Sequence, residues 1–233
     1  MNTNEPQADA PVLAVDAATD ACTVALSAGG RIACRGGVMP REHAARLLGL
    51  VDEVLEELQV RVADLAGLAW CHGPGAFTGL RIAAGAVQGI AWGGRVPVIG
   101  VSTLAVMAQG AARRQGASRV CSALDARMGE VYWGCYARDD DTGLMHAVVE
   151  DRVCAPGDVV VPDGWGGFTA VGTGWSAYPE ALAVRSGAPG ATDDVTLPDA
   201  RDLLPFAHHR IALGDTVAAR DAVPVYLRDR VTG

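Results

Sequence analysis

The sequence predicts an α/β protein built from two weakly similar halves, and three observations predict it. Half of the 233 residues are hydrophobic and a fifth charged, which is enough apolar material for one large core or two small ones and too much for disorder. A strand meander gives way to alternating helical and strand patterns, the signature of an α/β unit. Finally, Leu13-Ala14-Val15-Asp16-Ala17 followed by a strand at Cys22 is echoed by Ala123-Leu124-Asp125-Ala126 followed by a strand at Glu130-Val131-Tyr132-Trp133. Both halves thus begin as strand, Asp, short turn, strand, which suggests an internal duplication.

Taken in order, a polar, acidic stretch over residues 1–10 is expected to be a flexible tail. Val12 to Val15 then runs into Asp16, and a strand over Cys22 to Ser27 turns at Ala28-Gly29-Gly30 into a third, Arg31 to Arg35. Pro40 opens an amphipathic helix over 41–58, whose Leu47, Leu48, Val51, Val54, Leu55 and Leu58 follow the 3.6-residue period. A buried strand from Leu65 to Cys71 leads through the loop His72 to Phe77 to a helix over 79–92, with Thr78 as the expected cap. Val96 to Val101 reads as a strand and 103–114 as a helix. After the second hairpin come a strand near 145–153, a Pro/Gly-rich stretch at 155–167, a strand from Phe168 to Val171, and helices near 176–183 and 199–213. The expected division is an N-terminal α/β domain over 11–112, a second, diverged α/β domain over 113–215, and a segment over 216–233 that returns toward the first.

Composition removes several function classes. A net charge of -8 repels polyanions over most of the surface and argues against autonomous nucleic-acid binding. All nineteen basic residues are Arg, so a P-loop lysine, a kinase-type ATP lysine and a Schiff-base lysine are all excluded. The six cysteines form no C-x-x-C pair and are expected to be reduced core residues. With no signal-peptide pattern at the start and no run of ~18 apolar residues, the expected setting is soluble, reducing and cytoplasmic, away from membranes.

The repeated strand-Asp-turn-strand is the pattern by which actin-like and sugar-kinase ATPases hold phosphates and Mg²⁺. Such loops need small residues after the Asp so that backbone N–H groups can approach a phosphate. Here Asp16 is followed by Ala17-Ala18 and Asp125 by Ala126-Arg127, and Arg127 is bulky where a phosphate must come close. The plainer reading is that Asp16 and Asp125 terminate strands and accept turn hydrogen bonds. The run Gly73 to Gly79 fits neither nucleotide-loop fingerprint; it is either an anion site at a helix N-terminus or a tight turn holding Phe77 inward. No pair of the five histidines has metal-ligand spacing, and no nucleophile signature is present. Accordingly, no catalytic, cofactor-binding or metal-binding residue is assigned.

Two helices carry surplus features. Along 41–58, His43, Ala44, Leu47, Leu48, Leu50, Val51, Val54, Leu55 and Leu58 cover an arc of roughly 160°, against the ~100° that one packing surface demands. Two packing surfaces follow, either both internal or one of them a partner's. In 79–92 and just past it, Gly85, Gly89 and Gly93 recur every four residues, each interior one costing ~0.5–1 kcal/mol relative to Ala. Close packing on the protein's own sheet or on a partner's helix would offset that loss.

Five runs together are specific: Leu13 to Asp16, Gly73 to Ile82, Gly100 to Leu104, Ala123 to Tyr132, and Pro224-Val225-Tyr226-Leu227-Arg228. Over residues 11 to 230 the chain resembles the bacterial TsaB (YeaZ) family. The resemblance implies two related actin-like domains of the ribonuclease H-like, heat-shock chaperone and sugar-kinase superfamily. It also implies a role in making threonylcarbamoyladenosine beside the tRNA anticodon, as a non-catalytic subunit without cofactor that binds and activates the catalytic subunit TsaD. A TsaE-type ATPase joins the complex, tRNA is met only through it, and the transferred group comes from threonylcarbamoyl-adenylate. TsaD carries two metal-binding histidines at positions that align with Thr103 and Met107, neither a plausible ligand in that geometry.

On this reading the partner interface comprises His43, Leu47, Leu48, Leu50, Val54, Gly85 and Gly89, and docking through the helices over 41–58 and 79–92 biases TsaD toward a closed state. Asp16, Asp125 and Arg127 are vestigial phosphate-loop positions. The family often has Thr-Ser where this chain has Ala17-Ala18, and Ser where it has Ala76. Alternatives are a glycoprotease-type metallopeptidase, which needs metal ligands, and an actin-like ATPase or kinase, which needs phosphate-loop glycines. Whether the free chain forms a homodimer is left open.

Overall fold

The computed structural model describes residues 10–228. Apart from Ala10, the expected tail lies outside the described residues, as do residues 229–233. The described residues form two compact units: 10–72, Ala76–Val101 and Asp199–Pro224 make the first, and Gly73–Gly75, Ser102–Pro198 and 225–228 make the second.

The first unit is built on β1 (Val12–Asp16), β2 (Ala21–Ala28), β3 (Arg31–Val38), β4 (Gly67–Gly73) and β5 (Val98–Ser102), in the order β3-β2-β1-β4-β5. The β1–β2 and β2–β3 pairs are antiparallel, whereas β1 and β4 are parallel. All five residues of β1 are buried, as a central strand covered on both faces requires. Leu13, Val15, Val24 and Leu26 meet the apolar sides of α1 (His43–Leu58) and α2 (Phe77–Gly94).

The second unit repeats this plan. Its strands are β6 (Arg119–Arg127), β7 (Glu130–Arg138), β8 (Met145–Cys154), β9 (Thr169–Val171) and β10 (Ala191–Thr192), in the order β8-β7-β6-β9-β10. Again the first three strands pair antiparallel and the next joins in parallel. The duplication therefore extends from the strand-Asp-turn-strand to whole five-stranded sheets, and the actin-like two-domain α/β fold is the fold of the chain. The helices here are α3 (Thr103–Gln115), α4 (Thr173–Ala177) and α5 (Pro179–Ser186). Trp175 packs against Trp133 and Phe168, with ring centroids 5.6 and 5.7 Å apart. Among the described residues no helix is long and apolar enough to cross a membrane.

The chain divides elsewhere than at 112 and 215. α3 belongs to the second unit, where it packs on β6, β7 and β8, and α6 (Leu204–Leu213) belongs to the first, packing on β1 and β2. Residues 216–224 stay with the first unit, tied to β5 by paired hydrogen bonds of 2.9 Å between Val98 and Val217. Arg228 belongs to the second, paired with Glu130 of β7. Sequence order misleads here because a helix packs on the sheet that its apolar face fits, and that need not be the sheet its strand precedes.

α1 settles the question its wide arc raised. Leu47, Leu50, Val51, Val54 and Leu55 are buried, and His43 Nε2 donates to Ala21 O at 3.1 Å. The helix packs on β2 and β3 and also against α2, so both of its packing surfaces are internal. Leu48, at 56% exposure, is the large apolar residue of the arc left outside. Leu50→Arg is therefore expected to destabilise by ~4 kcal/mol or more, since a guanidinium would be buried without a partner. Leu48→Arg should stay within ~0.5 kcal/mol of wild type. Urea titrations of the two variants check the contrast.

A buried polar network in the second unit leaves no mark in the sequence pattern. Ser102 Oγ caps α3, accepting from Leu104 N at 3.1 Å and Ala105 N at 3.3 Å. The Ser102 and Tyr136 hydroxyls both donate to the Asp151 carboxylate, whose pKa burial raises. Gly134 makes the space, because a Cβ there would lie 2.6 Å from Asp151 Oδ1.

Candidate functional site

In the first unit the turn after Asp16 is closed rather than open to a ligand. Asp16 is fully buried together with Ala17 and Ala18. Its Oδ1 accepts the Ala18 N–H at 3.1 Å, the Cys71 thiol lies beside the carboxyl group, and Oδ2 has no hydrogen-bond partner among the described residues. Burial pushes the carboxyl up to about 7, with the charge of Asp199 adding to it.

The glycine loop supplies the rest of that closure. Ala76 N donates to Ala18 O at 2.7 Å, and a Cβ on Gly79 would lie 2.1 Å from Ala17 O. Gly79 therefore lets the first turn of α2 rest on the turn that follows Asp16. Helix α2 starts at Phe77 with Ala76 as its N-cap, so Thr78 lies inside the helix and does not cap it. Nor is Phe77 held inward: it is 47% exposed, with the Arg81 guanidinium 3.8 Å above its ring. Just before the loop, burial and then the Arg210 charge hold His72 neutral, its pKa down to about 4. Its ring lies over Gly100, where a Cβ would come within 2.7 Å of Nδ1.

The equivalent strand end in the second unit is satisfied differently. Asp125 Oδ1 accepts the Arg127 N–H at 2.9 Å and the Tyr178 hydroxyl at 3.3 Å, while Arg127 Nη1 lies 3.0 Å from Oδ2. Arg127 and Met128 both have positive φ, 63° and 56°, which curls the guanidinium back onto its own carboxylate. An incoming anion would meet a neutralised pair. Both aspartates accept the N–H two residues on, the turn geometry common for Asp at a strand end. A glycine recurs as well: a Cβ on Gly172 would lie 2.1 Å from Ala123 O.

Thr103 and Met107 are core residues of the second unit, 0% and 1% exposed. The Met107 methyl would lie 2.8 Å from a Cβ placed on Gly172. Among the described residues no group of three His, Cys, Asp or Glu side chains is placed to hold a metal ion.

The expected interface residues separate into two sets. His43, Leu47, Leu50 and Val54 are buried in the first unit and cannot meet a partner in the folded chain. Leu48, Gly85 and Gly89 face outward. The glycines are not packed on their own sheet, since a Cβ on Gly85, Gly89 or Gly93 would meet nothing within 4 Å. Beside them stands Trp92, 75% exposed, which sequence reading missed. Its signal was available: Phe77, Arg81, Gly85, Gly89 and Gly93 are spaced by four, and Trp92 falls on the same stripe.

Comparisons with known proteins agree with this architecture. Residues 24–188, well over half the chain, match the family model described as "TsaD: tRNA N6-adenosine threonylcarbamoyltransferase". The Escherichia coli (strain K12) "tRNA threonylcarbamoyladenosine biosynthesis protein TsaB" is 46% identical over 223 residues, covering 94% of this chain and 95% of the relative. The protein of the same description from Haemophilus influenzae is 35% identical over 227 residues, 95% of this chain and 94% of the relative. Among solved structures, "YeaZ from Pseudomonas aeruginosa" superposes with a TM-score of 0.88 at 45% identity, over 94% of this chain and 100% of that one. Two duplicated sheets, strand-end aspartates closed by their own turns, and near-full-length identity lead to one assignment: the chain belongs to the TsaB (YeaZ) family of tRNA threonylcarbamoyladenosine biosynthesis proteins.

Proposed function

We infer that the chain is a non-catalytic scaffold and activator that binds a TsaD-type catalytic subunit, with a TsaE-type ATPase and tRNA engaged through the assembly. The observation that carries this reading is the outer face of α2. Gly85, Gly89 and Gly93 forgo helix stability and gain no intradomain contact, beside an exposed Trp92 and Phe77. Glycines on a helix surface let another helix backbone come close, and exposed aromatics anchor protein interfaces. The closed turns at Asp16 and the Arg127–Asp125 pair support a role without phosphate chemistry. The overall charge of -8 supports tRNA contact through partners.

The test is reconstitution of the tRNA modification with purified TsaD, TsaE and tRNA, omitting each component in turn. Gly85→Leu and Gly89→Leu are included. Each variant is expected to melt within a few degrees of wild type, and at least one should lose TsaD binding and with it the modification. Modification by this chain without TsaD, or normal binding by both variants, contradicts the proposal. Mobility-shift titration of the chain alone against tRNA should show no binding at moderate salt, and tight binding there would overturn the charge argument.

A further inference from the structure

Cys121 and Cys135 stand directly opposite each other across the antiparallel β6–β7 pair, with their Sγ atoms 3.4 Å apart. Opposed residues of antiparallel strands have Cα atoms about 4.5 or 5.5 Å apart. Both values fall inside the range of about 4.4–6.8 Å that a disulfide spans, so the backbone separation suits a cross-strand bond.

The cover over this pair is irregular. Of the segment 155–167, Pro156–Asp158 forms a short 3-10 turn, and its backbone bonds are local: Asp158 to Ala155, Trp165 to Pro162 and Gly166 to Gly164. It is pinned over the sheet by buried Val159 and by Val160 O, which accepts from Trp133 Nε1 at 2.9 Å and from Cys135 Sγ at 3.4 Å. Pro156, Gly157, Pro162, Gly164, Gly166 and Gly167 keep it out of regular structure. Local opening of such a segment costs far less than global unfolding.

We propose that Cys121 and Cys135 form a latent, reversible oxidation site in the second unit, converted by a peroxide to a cross-strand disulfide when the segment 155–167 opens. The Cys135 thiol attacks one peroxide oxygen, the O–O bond breaks, and hydrogen peroxide yields a Cys135 sulfenic acid and one water. Cys121 Sγ then attacks Cys135 Sγ. The S–O bond breaks as the S–S bond forms, and the leaving hydroxide takes the Cys121 proton as a second water. Two thiols are oxidised and one peroxide is reduced. In the closed state both cysteines are fully buried, which keeps peroxide from the pair until the cover lifts. The product pins the hairpin that carries Asp125 and Arg127.

The experiment treats the full-length folded protein with hydrogen peroxide, blocks remaining thiols with an alkylating agent, and maps peptides without reduction. The expected result is a peptide pair joined through Cys121 and Cys135, lost on dithiothreitol treatment and absent from Cys135→Ala. Val159→Ala, which loosens the cover, should speed its formation several-fold. A folded wild-type protein whose partly exposed Cys34 and Cys154 are oxidised while Cys121 and Cys135 stay reduced would overturn the proposal. So would a joined pair that appears only in denaturant.

Discussion

Gly79→Ala is expected to cost ~3 kcal/mol or more, among the larger effects of any single methyl group in this chain. The added Cβ would sit 2.1 Å from Ala17 O, a backbone atom that no side-chain rotation can move away. Either α2 shifts off the turn after Asp16 or that turn opens, and the second course exposes a strand end whose residues are fully buried. The same substitution two turns further along should do the reverse. Gly85→Ala and Gly89→Ala place their methyl groups in open space and should each stabilise α2 by ~0.5–1 kcal/mol through helix propensity. Thermal unfolding of the three variants side by side gives the comparison. A Gly79→Ala protein that melts like wild type would mean that α2 does not rest on Ala17 as described.

Asp16→Asn is expected to make the protein more stable at alkaline pH and to remove a pH dependence. The folded state holds this carboxyl at about 7 against an ordinary value of 3.8, and burial is the main cause. Because the folded form binds the proton more tightly, the resulting stability is complete below about pH 4. It falls as pH rises toward 7 and is gone above that. At ~1.4 kcal/mol per pH unit the whole change is ~4 kcal/mol. Asn keeps an oxygen for the Ala18 N–H and carries no charge to bury, so the variant should gain most of that difference at pH 8 and little at pH 4. Urea midpoints across this interval measure it. Equal destabilisation at both ends would show that the carboxylate is better solvated in the fold than its burial indicates.

Much of this protein was legible before its coordinates, for identifiable reasons. β1, β2 and β3 alternate or run apolar between clear turn residues, and α1 follows the helical period, so each lies within two or three residues of its expected place. The echo between Asp16 and Asp125 reported the duplication because strand-end turns constrain residue type tightly. Local chemistry could not place α3 or α6, whose sheets are chosen by long-range packing. Nor could it divide the apolar arc of α1 into buried and exposed members: Leu47, Leu48 and Leu50 are the same residue type, and only the neighbouring strands and α2 separate them.

The glycines show where sequence ends and tertiary structure begins. By itself the sequence determined the fold class, the echo between the two halves and the charge, because each depends on composition, periodicity or the order of residue types along the chain, while the family came from the likeness of five specific runs to those of the TsaB (YeaZ) family. Whether a given glycine is a necessity or a surface was decided only in three dimensions. Gly79 and Gly172 each lie against a backbone carbonyl, at 2.1 Å from the Cβ they lack, whereas Gly85, Gly89 and Gly93 face open space. The residue type is the same in all five. What differs is whether another segment, distant in sequence, has been folded into van der Waals contact, and packing of that kind is a property of the assembled core.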